Sequence, residues 1–163
     1  MLPLARNRGC IRPSGGFTMV EVLIVLAITL ITMGIAVPSF SAMTAAQRVK
    51  TSGTDLYVSM TRARSEAIKR NTSITLAPKQ GGWQNGWTVT DPADATHILD
   101  DHGALAGVSA TGPASIIYRA SGRPLPGSLA SMILSATVGG RTFSHCVSLG
   151  LSGQPYMKSG ASC

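Results

Sequence analysis

Charged and aromatic side chains are scarce in this sequence. Asp, Glu, Lys and Arg make up 13% of its 163 residues, and Phe, Trp and Tyr make up 5%. No Ser-His-Asp order, paired carboxylates or phosphate-cradling glycine loop stands out, so the sequence predicts neither an enzyme nor a cofactor site. Asp100, Asp101 and His102 form a polar cluster, which we interpret as part of a solvent-exposed loop.

Cysteine is nearly absent as well, which bears on metal binding. The sequence holds Cys10, Cys146 and Cys163, and His145 stands beside one of them. A site built from two cysteines and one adjacent histidine lacks the spaced ligand pairs of structural zinc sites. We therefore expect no metal site in this chain.

Acidic residues are missing from the N-terminal segment, with one exception. Residues 1–16 contain no acid and three arginines, Arg6, Arg8 and Arg12. Residues 17–37 are apolar or small and polar, except for Glu21. This run would form a helix about 31 Å long, enough to span a bilayer core. By the positive-inside rule the basic end stays in the cytoplasm and the bulk of the chain lies outside.

A pair of small residues, Gly15 and Gly16, comes directly before the apolar run. A secretory signal places its cleavage site after the apolar core, so a cut at Gly16 would leave this helix in place. A short basic leader, then Gly16-Phe17-Thr18, two apolar residues, Glu21 and a long apolar run resembles the class III signal of type IV prepilins and type II secretion pseudopilins. The resemblance implies that prepilin peptidase cuts between Gly16 and Phe17 and that the new Phe17 amine is N-methylated. A plain single-pass anchor, the alternative, needs neither the glycine nor the glutamate.

Glu21 is expected to act in assembly. Isolated in lipid, a carboxylate in mid-helix costs about 2.5–3.5 kcal/mol, so it requires a partner. In a staggered filament, Glu21 of an incoming subunit can reach the Phe17 amine of its neighbour, and this pairing would select the register. The alternative is that Glu21 serves only as a recognition mark for the peptidase.

Cleavage would divide the chain into a leader of residues 1–16, a transmembrane and assembly segment of residues 17–38, and an external domain of residues 39–163. Cys10 leaves with the leader, so Cys146 and Cys163 remain. In an oxidising periplasm such a pair is most simply a disulfide. Closing this loop would stabilise the fold by about 3 kcal/mol in the chain-entropy model.

Helical periodicity resumes after Pro38, which is expected to kink or loosen the helix where it leaves the membrane. Apolar and small residues then recur at intervals of three or four, which predicts a stripe packed on a sheet. The stripe consists of Ala46, Val49, Gly53, Leu56, Met60, Ala63 and Ala67. The opposite face is charged, with Glu66 four residues from both Arg62 and Arg70, and we interpret it as a solvated face. Asn71 is expected to end the helix.

Short extended runs follow the helix and predict antiparallel strands. The predicted strands cover residues 73–77, 87–90, 114–120, 130–138, 141–149 and 155–158. Dipeptides containing glycine separate them, and Gly139-Gly140 between two strand-like runs predicts a hairpin. Residues 91–112 show no periodicity, and we expect an irregular surface loop there.

A second resemblance rests on the end of the helix and on two tryptophans. The helix closes with Ala-Arg-Ser-Glu-Ala-Ile-Lys-Arg-Asn at residues 63–71, and Trp83, Gly86 and Trp87 follow the first predicted strand. This arrangement resembles the GspH/FimT family of minor pilins and pseudopilins over essentially the whole chain. The resemblance implies an α+β, pilin-like fold, in which a long N-terminal transmembrane helix packs on an antiparallel sheet. Both tryptophans are expected to pack in the sheet; an aromatic platform for bases or sugars is the alternative.

Members related to FimT often end with a Gly-Arg-x-Arg motif, tied in some of them to DNA binding, and this chain departs from it. It reads Gly-Gln-Pro-Tyr at residues 153–156, so both guanidinium groups are missing. The net charge of +7 permits anionic partners without demanding them. The candidates that remain for weak DNA or phosphate contacts are Arg123, Arg141 and Lys158.

We therefore expect a structural subunit rather than an enzyme. It would be a minor pilin of the inner membrane, processed by prepilin peptidase, with its C-terminal domain in the periplasm. It would join other pilins or pseudopilins through its N-terminal helix and initiate or cap a type IV pilus. The alternatives are a DNA-binding minor pilin for DNA uptake and a GspH-like pseudopilin of a type II secretion system.

Overall fold

The computed structural model describes residues 16–126 and 131–163, and the chain divides into two compact units, Met1–Val37 and Pro38–Cys163. The described part of the first unit is the N-terminal portion of a long helix. The second unit holds the rest of that helix and two β-sheets. Residues 1–15 of the predicted leader, with its arginines and Cys10, lie outside the described residues, as does the start of the strand predicted at 130–138.

Helix α1 spans Met19–Arg70 and supplies one side of the core in the second unit. Its buried positions recur every three or four residues because that spacing keeps side chains on one face. They are Ala45, Val49, Ser52, Gly53, Leu56, Ser59, Met60, Ala63 and Ala67. The predicted stripe is confirmed except at its start, where Ala45 is buried and Ala46 only partly so. The bounds of α1 include position 38, and the kink expected there stays a prediction.

The helix ends at Arg70, as predicted from Asn71. Asn71 adopts a left-handed conformation with φ of 53°. The Thr72 N–H donates to the Ala67 carbonyl at 3.2 Å and the Asn71 N–H to the Ile68 carbonyl at 3.3 Å. These two bonds form a Schellman motif, which satisfies carbonyls of the last turn that would otherwise lack partners.

The described residues after the helix contain eight strands: β1 (Ile74–Pro78), β2 (Trp87–Asp91), β3 (Asp94–His102), β4 (Ser109–Thr111), β5 (Ile116–Tyr118), β6 (Met132–Val138), β7 (Arg141–Leu149) and β8 (Pro155–Ser159). They form two antiparallel sheets, with strand orders β3-β2-β1-β5 and β4-β6-β7-β8. A 3₁₀ turn, Trp83–Asn85, lies between β1 and β2. The α+β fold expected from the sequence is confirmed.

The hairpin between β6 and β7 forms as predicted. Val138 pairs with Arg141, so Gly139 and Gly140 alone make the turn. Their φ angles are 58° and 74°. A two-residue turn that matches the twist of its strands requires positive φ at both positions, which glycine adopts without a steric penalty.

The expectation of an irregular loop at residues 91–112 is wrong, because β3 and β4 lie within it. An Asp91 carboxylate oxygen accepts a hydrogen bond from the Ala93 N–H at 2.9 Å, which shapes the turn into β3. The register between β2 and β3 then shifts twice, between Val89 and Thr90 and between Thr90 and Asp91. Such a bulge interrupts the alternation of faces, so the strand pattern cannot be read from the sequence.

The interpretation of Asp100 as part of a solvent-exposed loop is wrong, since it lies on β3 and faces the helix. One carboxylate oxygen accepts a hydrogen bond from the Ser59 hydroxyl at 2.8 Å, and the other lies 2.9 Å from the Arg62 guanidinium. Arg62 therefore forms an ion pair with Asp100, on a strand distant in the sequence, instead of pairing with Glu66 on its own helix. The other two cluster members also lie on β3, where Asp101 pairs with Lys79.

The tryptophans pack in the core, as predicted. Trp83 and Trp87 are both buried, with ring centroids 6.4 Å apart. The His102 ring stacks on Trp87 at 4.0 Å with an interplanar angle of 9°. Because the indole rings are covered by the protein itself, they offer no platform on which bases or sugars could stack.

Candidate functional site

The first turn of α1 carries the only charge of the assembly segment. The Glu21 N–H donates to the Thr18 hydroxyl oxygen at 3.2 Å, so Thr18 caps the helix that begins at Met19. Glu21 thus occupies the third helical position, where a carboxylate also interacts favourably with the helix dipole. The Thr-x-x-Glu spacing of residues 18–21 is a capping signal that our sequence analysis missed.

The apolar surface of this segment is uncovered in the monomer. Every side chain described in residues 17–34 is exposed, and Phe17 keeps 83% of its surface. The helix is long and apolar enough to cross a membrane, and no part of its most apolar window is buried inside the chain. An exposed apolar patch of this extent marks a surface that binds lipid or protein.

Arg64 ties the helix to two loops of the second unit. Its guanidinium donates to the Gly122 carbonyl at 3.1 Å, to the Gln154 side-chain oxygen at 3.1 Å and to the Ser152 carbonyl at 3.4 Å. Gln154 stands where the Gly-Arg-x-Arg motif would have its first arginine. At this position the chain therefore presents an amide that accepts a hydrogen bond from the protein rather than a guanidinium that could grip phosphate.

The remaining charges of the helix face form a local cluster, in which both Lys69 and Arg70 pair with Glu66. Arg70 lies 2.7 Å from Glu66, as the spacing of four residues predicts. This hydrogen bond lowers the pKa of the Glu66 carboxyl and raises the pKa of Arg70. Arg62 and Arg64 both bind strands or loops, so only part of the face matches the solvated surface that was predicted.

The structure does not gather Arg123, Arg141 and Lys158 into one patch. Arg141 begins β7, and Lys158 pairs with Cys146, five residues further along that strand. At strand spacing this separates their backbones by about 17 Å. Arg123 lies in the turn after β5, against Gly153. Three cations so dispersed do not form a groove for a phosphate backbone.

A disulfide links Cys146 on β7 to Cys163, with a Cα–Cα distance of 5.5 Å. Cys146 is fully buried, whereas Cys163 is exposed. The bond therefore fastens the C-terminal segment, which follows β8, to a central strand of the second sheet.

Comparisons with known proteins find separate matches for the N-terminal segment and for the domain that follows it. The family model described as Type II transport protein GspH matches residues 52–153, and the model described as Prokaryotic N-terminal methylation motif matches residues 11–37. No curated protein matches the chain. The methylation motif and the apolar helix together fit a membrane-anchored pilin.

Two solved structures have a similar fold, both of the type IV minor pilin FimU of Pseudomonas aeruginosa strain PAO1. The crystal structure in space group P21 aligns with a TM-score of 0.58 and 20% identity, covering 74% of this chain and 98% of FimU. The structure in space group P65 aligns with a TM-score of 0.55 and 19% identity, covering 70% and 98%. With the family model spanning residues 52–153, these findings show that the chain belongs to the GspH/FimT family of type IV minor pilins and type II secretion pseudopilins.

Proposed function

We propose that this chain is a minor pilin that initiates or caps assembly of a type IV pilus. The observation that carries the proposal is the exposed apolar surface of residues 17–34, whose single charged side chain, Glu21, sits in the first turn of α1. A soluble monomer could not keep such a surface in water. A bilayer covers it before assembly, and neighbouring subunits cover it afterwards.

Glu21 would set the position of the subunit in the filament. Glu21 lies four residues after Phe17, whose amine cleavage would create, and no other charged side chain occurs between residues 13 and 47. In an apolar filament core, the amine of a neighbouring chain would be the partner that neutralises this carboxylate. Since an unpaired carboxylate in lipid costs several times what an exposed ion pair contributes, pairing favours one register over the others.

Processing by prepilin peptidase between Gly16 and Phe17, with N-methylation of Phe17, would prepare this pairing. A side chain at Gly16 would meet no other atom within 4 Å, so Gly16→Val should not disturb the fold. We expect it to abolish cleavage, because the peptidase requires the small residue. Gly34→Val is the matched control, since that glycine also faces open space.

Intact mass of the membrane-extracted protein checks this step. The wild type and Gly34→Val should give a chain beginning at Phe17 with one added methyl, and Gly16→Val should give the uncleaved chain. An uncleaved wild type in cells with an active peptidase would contradict the processing proposal.

A deletion strain tests the role in the pilus. Loss of the gene should reduce the number of surface pili several-fold while protein secretion stays unchanged, and labelled protein should mark one end of each filament. The likeness to the FimU fold supports the pilus over the secretion system. If deletion lowers secretion and leaves pilus number intact, the chain is instead a pseudopilin.

A further inference from the structure

A cleft of about 440 Å³ lies in the second unit, between residues 39–46 of α1 and the β6–β7 hairpin. Residues 39–46 of α1 form one wall, and Val138, Arg141 and Phe143 form the other. Arg141 is exposed, and its guanidinium carbon lies 5.5 Å from the centre of the Phe143 ring, which holds the side chain at the cleft. The hairpin thus presents a cation to the cleft.

The charged side chains around this cleft are all positive. The sequence contains no acidic residue between Glu21 and Asp55 and none after Asp101, so neither wall carries a carboxylate. Arg48 lines an adjoining cleft of about 290 Å³ that shares Val138 with the first. Within residues 16–126 and 131–163, no carboxylate pairs with Arg48 or Arg141. Arg141 therefore favours an anion at this cleft, and Arg48 adds positive charge at the adjoining one.

Apolar side chains border the same opening. Met43 lines the cleft and keeps 74% of its surface exposed. Phe40 keeps 73% of its surface exposed and lines the adjoining cleft of about 290 Å³. An exposed aromatic ring and thioether next to unpaired cations suit a ligand that is itself amphipathic. A free inorganic anion would leave these side chains uncovered.

Chain connectivity places the cleft at the membrane surface, if residues 17–37 form the anchor as proposed above. Ser39 lines the cleft and follows Val37 by two residues, a span of at most about 7 Å. The headgroup layer on each side of a bilayer core is about 5–8 Å thick. The cleft wall therefore lies within reach of the lipid headgroups before assembly.

We propose that this cleft binds the phosphate of an anionic phospholipid headgroup, with Arg141 as its principal ligand. The planar guanidinium donates two parallel hydrogen bonds to phosphate oxygens, and Arg48 adds a second positive charge. Phe40 and Met43 would contact the upper part of the acyl chains. The site would hold the domain against the membrane until the subunit leaves the bilayer for the filament.

Lipid retention by the purified mature chain tests the proposal. The full-length mature protein is mixed with equal amounts of phosphatidylglycerol and phosphatidylcholine in detergent, and bound lipid is counted by native mass spectrometry. The wild type should retain phosphatidylglycerol preferentially. Arg141→Gln should lower that retention about 5-fold, the loss expected for one cation near a membrane surface. Arg123→Gln, an equally exposed arginine at a turn, is the matched control and should change nothing.

Three results would overturn the proposal. Equal retention by Arg141→Gln and the wild type would remove Arg141 from the site. Competition by millimolar inorganic phosphate would show a free-phosphate site. Photoactivatable phosphatidylglycerol that labels segments other than residues 39–46 and 138–143 would place the lipid elsewhere. Carbonate extraction of the same variants reports membrane insertion separately, so failure of the anchor itself would be recognised independently of the lipid site.

Discussion

Replacing Cys163 by serine should lower the stability of the second unit by a predictable amount. The disulfide joins residues 17 apart in the sequence. In the chain-entropy model, closing a loop of this length stabilises the folded state by about 3 kcal/mol. Cys163 is exposed while Cys146 is fully buried, so Cys163→Ser removes the bond without opening a cavity in the core.

The expected fall in melting temperature is about 10–15 °C for a unit of this size. Tryptophan fluorescence is a suitable measurement, because Trp83 and Trp87 are both buried in the second unit and will be exposed to water when it unfolds. The mature chain is heated in detergent under oxidising conditions, with wild type and Cys163→Ser side by side.

Reductant supplies the control. It should bring the wild type down to the melting temperature of Cys163→Ser and leave the variant unchanged. If oxidised wild type and Cys163→Ser melt within about 2 °C of each other, the C-terminal segment gains no stability from the bond and the loop-closure reasoning is refuted.

Two further substitutions test the packing. A Cβ at Gly153 would overlap the Gly122 carbonyl oxygen, and Gly153 has φ of 81°. Gly153→Ala should therefore reduce the free energy of unfolding by about 3 kcal/mol or more. Gly139→Ala, whose Cβ would meet open space, should reduce it by only about 1 kcal/mol, and equal losses in urea unfolding would contradict this reasoning. The buried Tyr118 hydroxyl has no hydrogen-bond partner among the described residues, and burial raises its pKa above the ordinary value of 10. Because the unfolded state then loses the proton first, the contribution of Tyr118 to stability should be constant below about pH 10 and should fall above it. Tyr118→Phe should remove that fall, whereas an unchanged pH profile above about pH 10 would show that another group is responsible.

Much of the fold could be predicted from local patterns. The stripe on α1, the stop at Asn71 and the Gly139-Gly140 hairpin depend on short-range spacing and on conformations that few residues adopt. The strands that coincide with the predictions are those with runs of β-branched or apolar residues, such as β7 (Arg141–Leu149). These features are encoded within a few residues, so the sequence alone suffices to find them.

The predictions failed where tertiary contacts decide the structure. Strand β3 carries Asp100 and Asp101, residues that disfavour strands, and its register with β2 is interrupted by a bulge. It is held by partners distant in sequence, since Asp100 binds Ser59 and Arg62 on the helix. Nothing near Asp100 in the sequence reveals those partners.

The candidate site likewise combines residues proposed from a local motif with residues whose placement depends on tertiary contacts. The proposed cleavage boundary at Gly16-Phe17 and the proposed role of Glu21 rest on the spacing of the N-terminal motif alone, and they stay predictions. The separation of Arg123, Arg141 and Lys158 depends on strand register and could not be predicted. The clamp formed by Arg64 on Gln154, 90 residues away, was likewise beyond any local pattern.

Incorporation of Glu21→Val into filaments tests the central claim most directly. The variant keeps the leader and Gly16, so it should be inserted and cleaved normally. The amount of mature protein in sheared filaments, divided by the amount in membranes, should then fall at least 10-fold. Thr29→Val, which also removes a polar group from the exposed apolar run, is the matched control and should be incorporated like the wild type. A cleaved Glu21→Val protein present in filaments at wild-type levels would contradict the account.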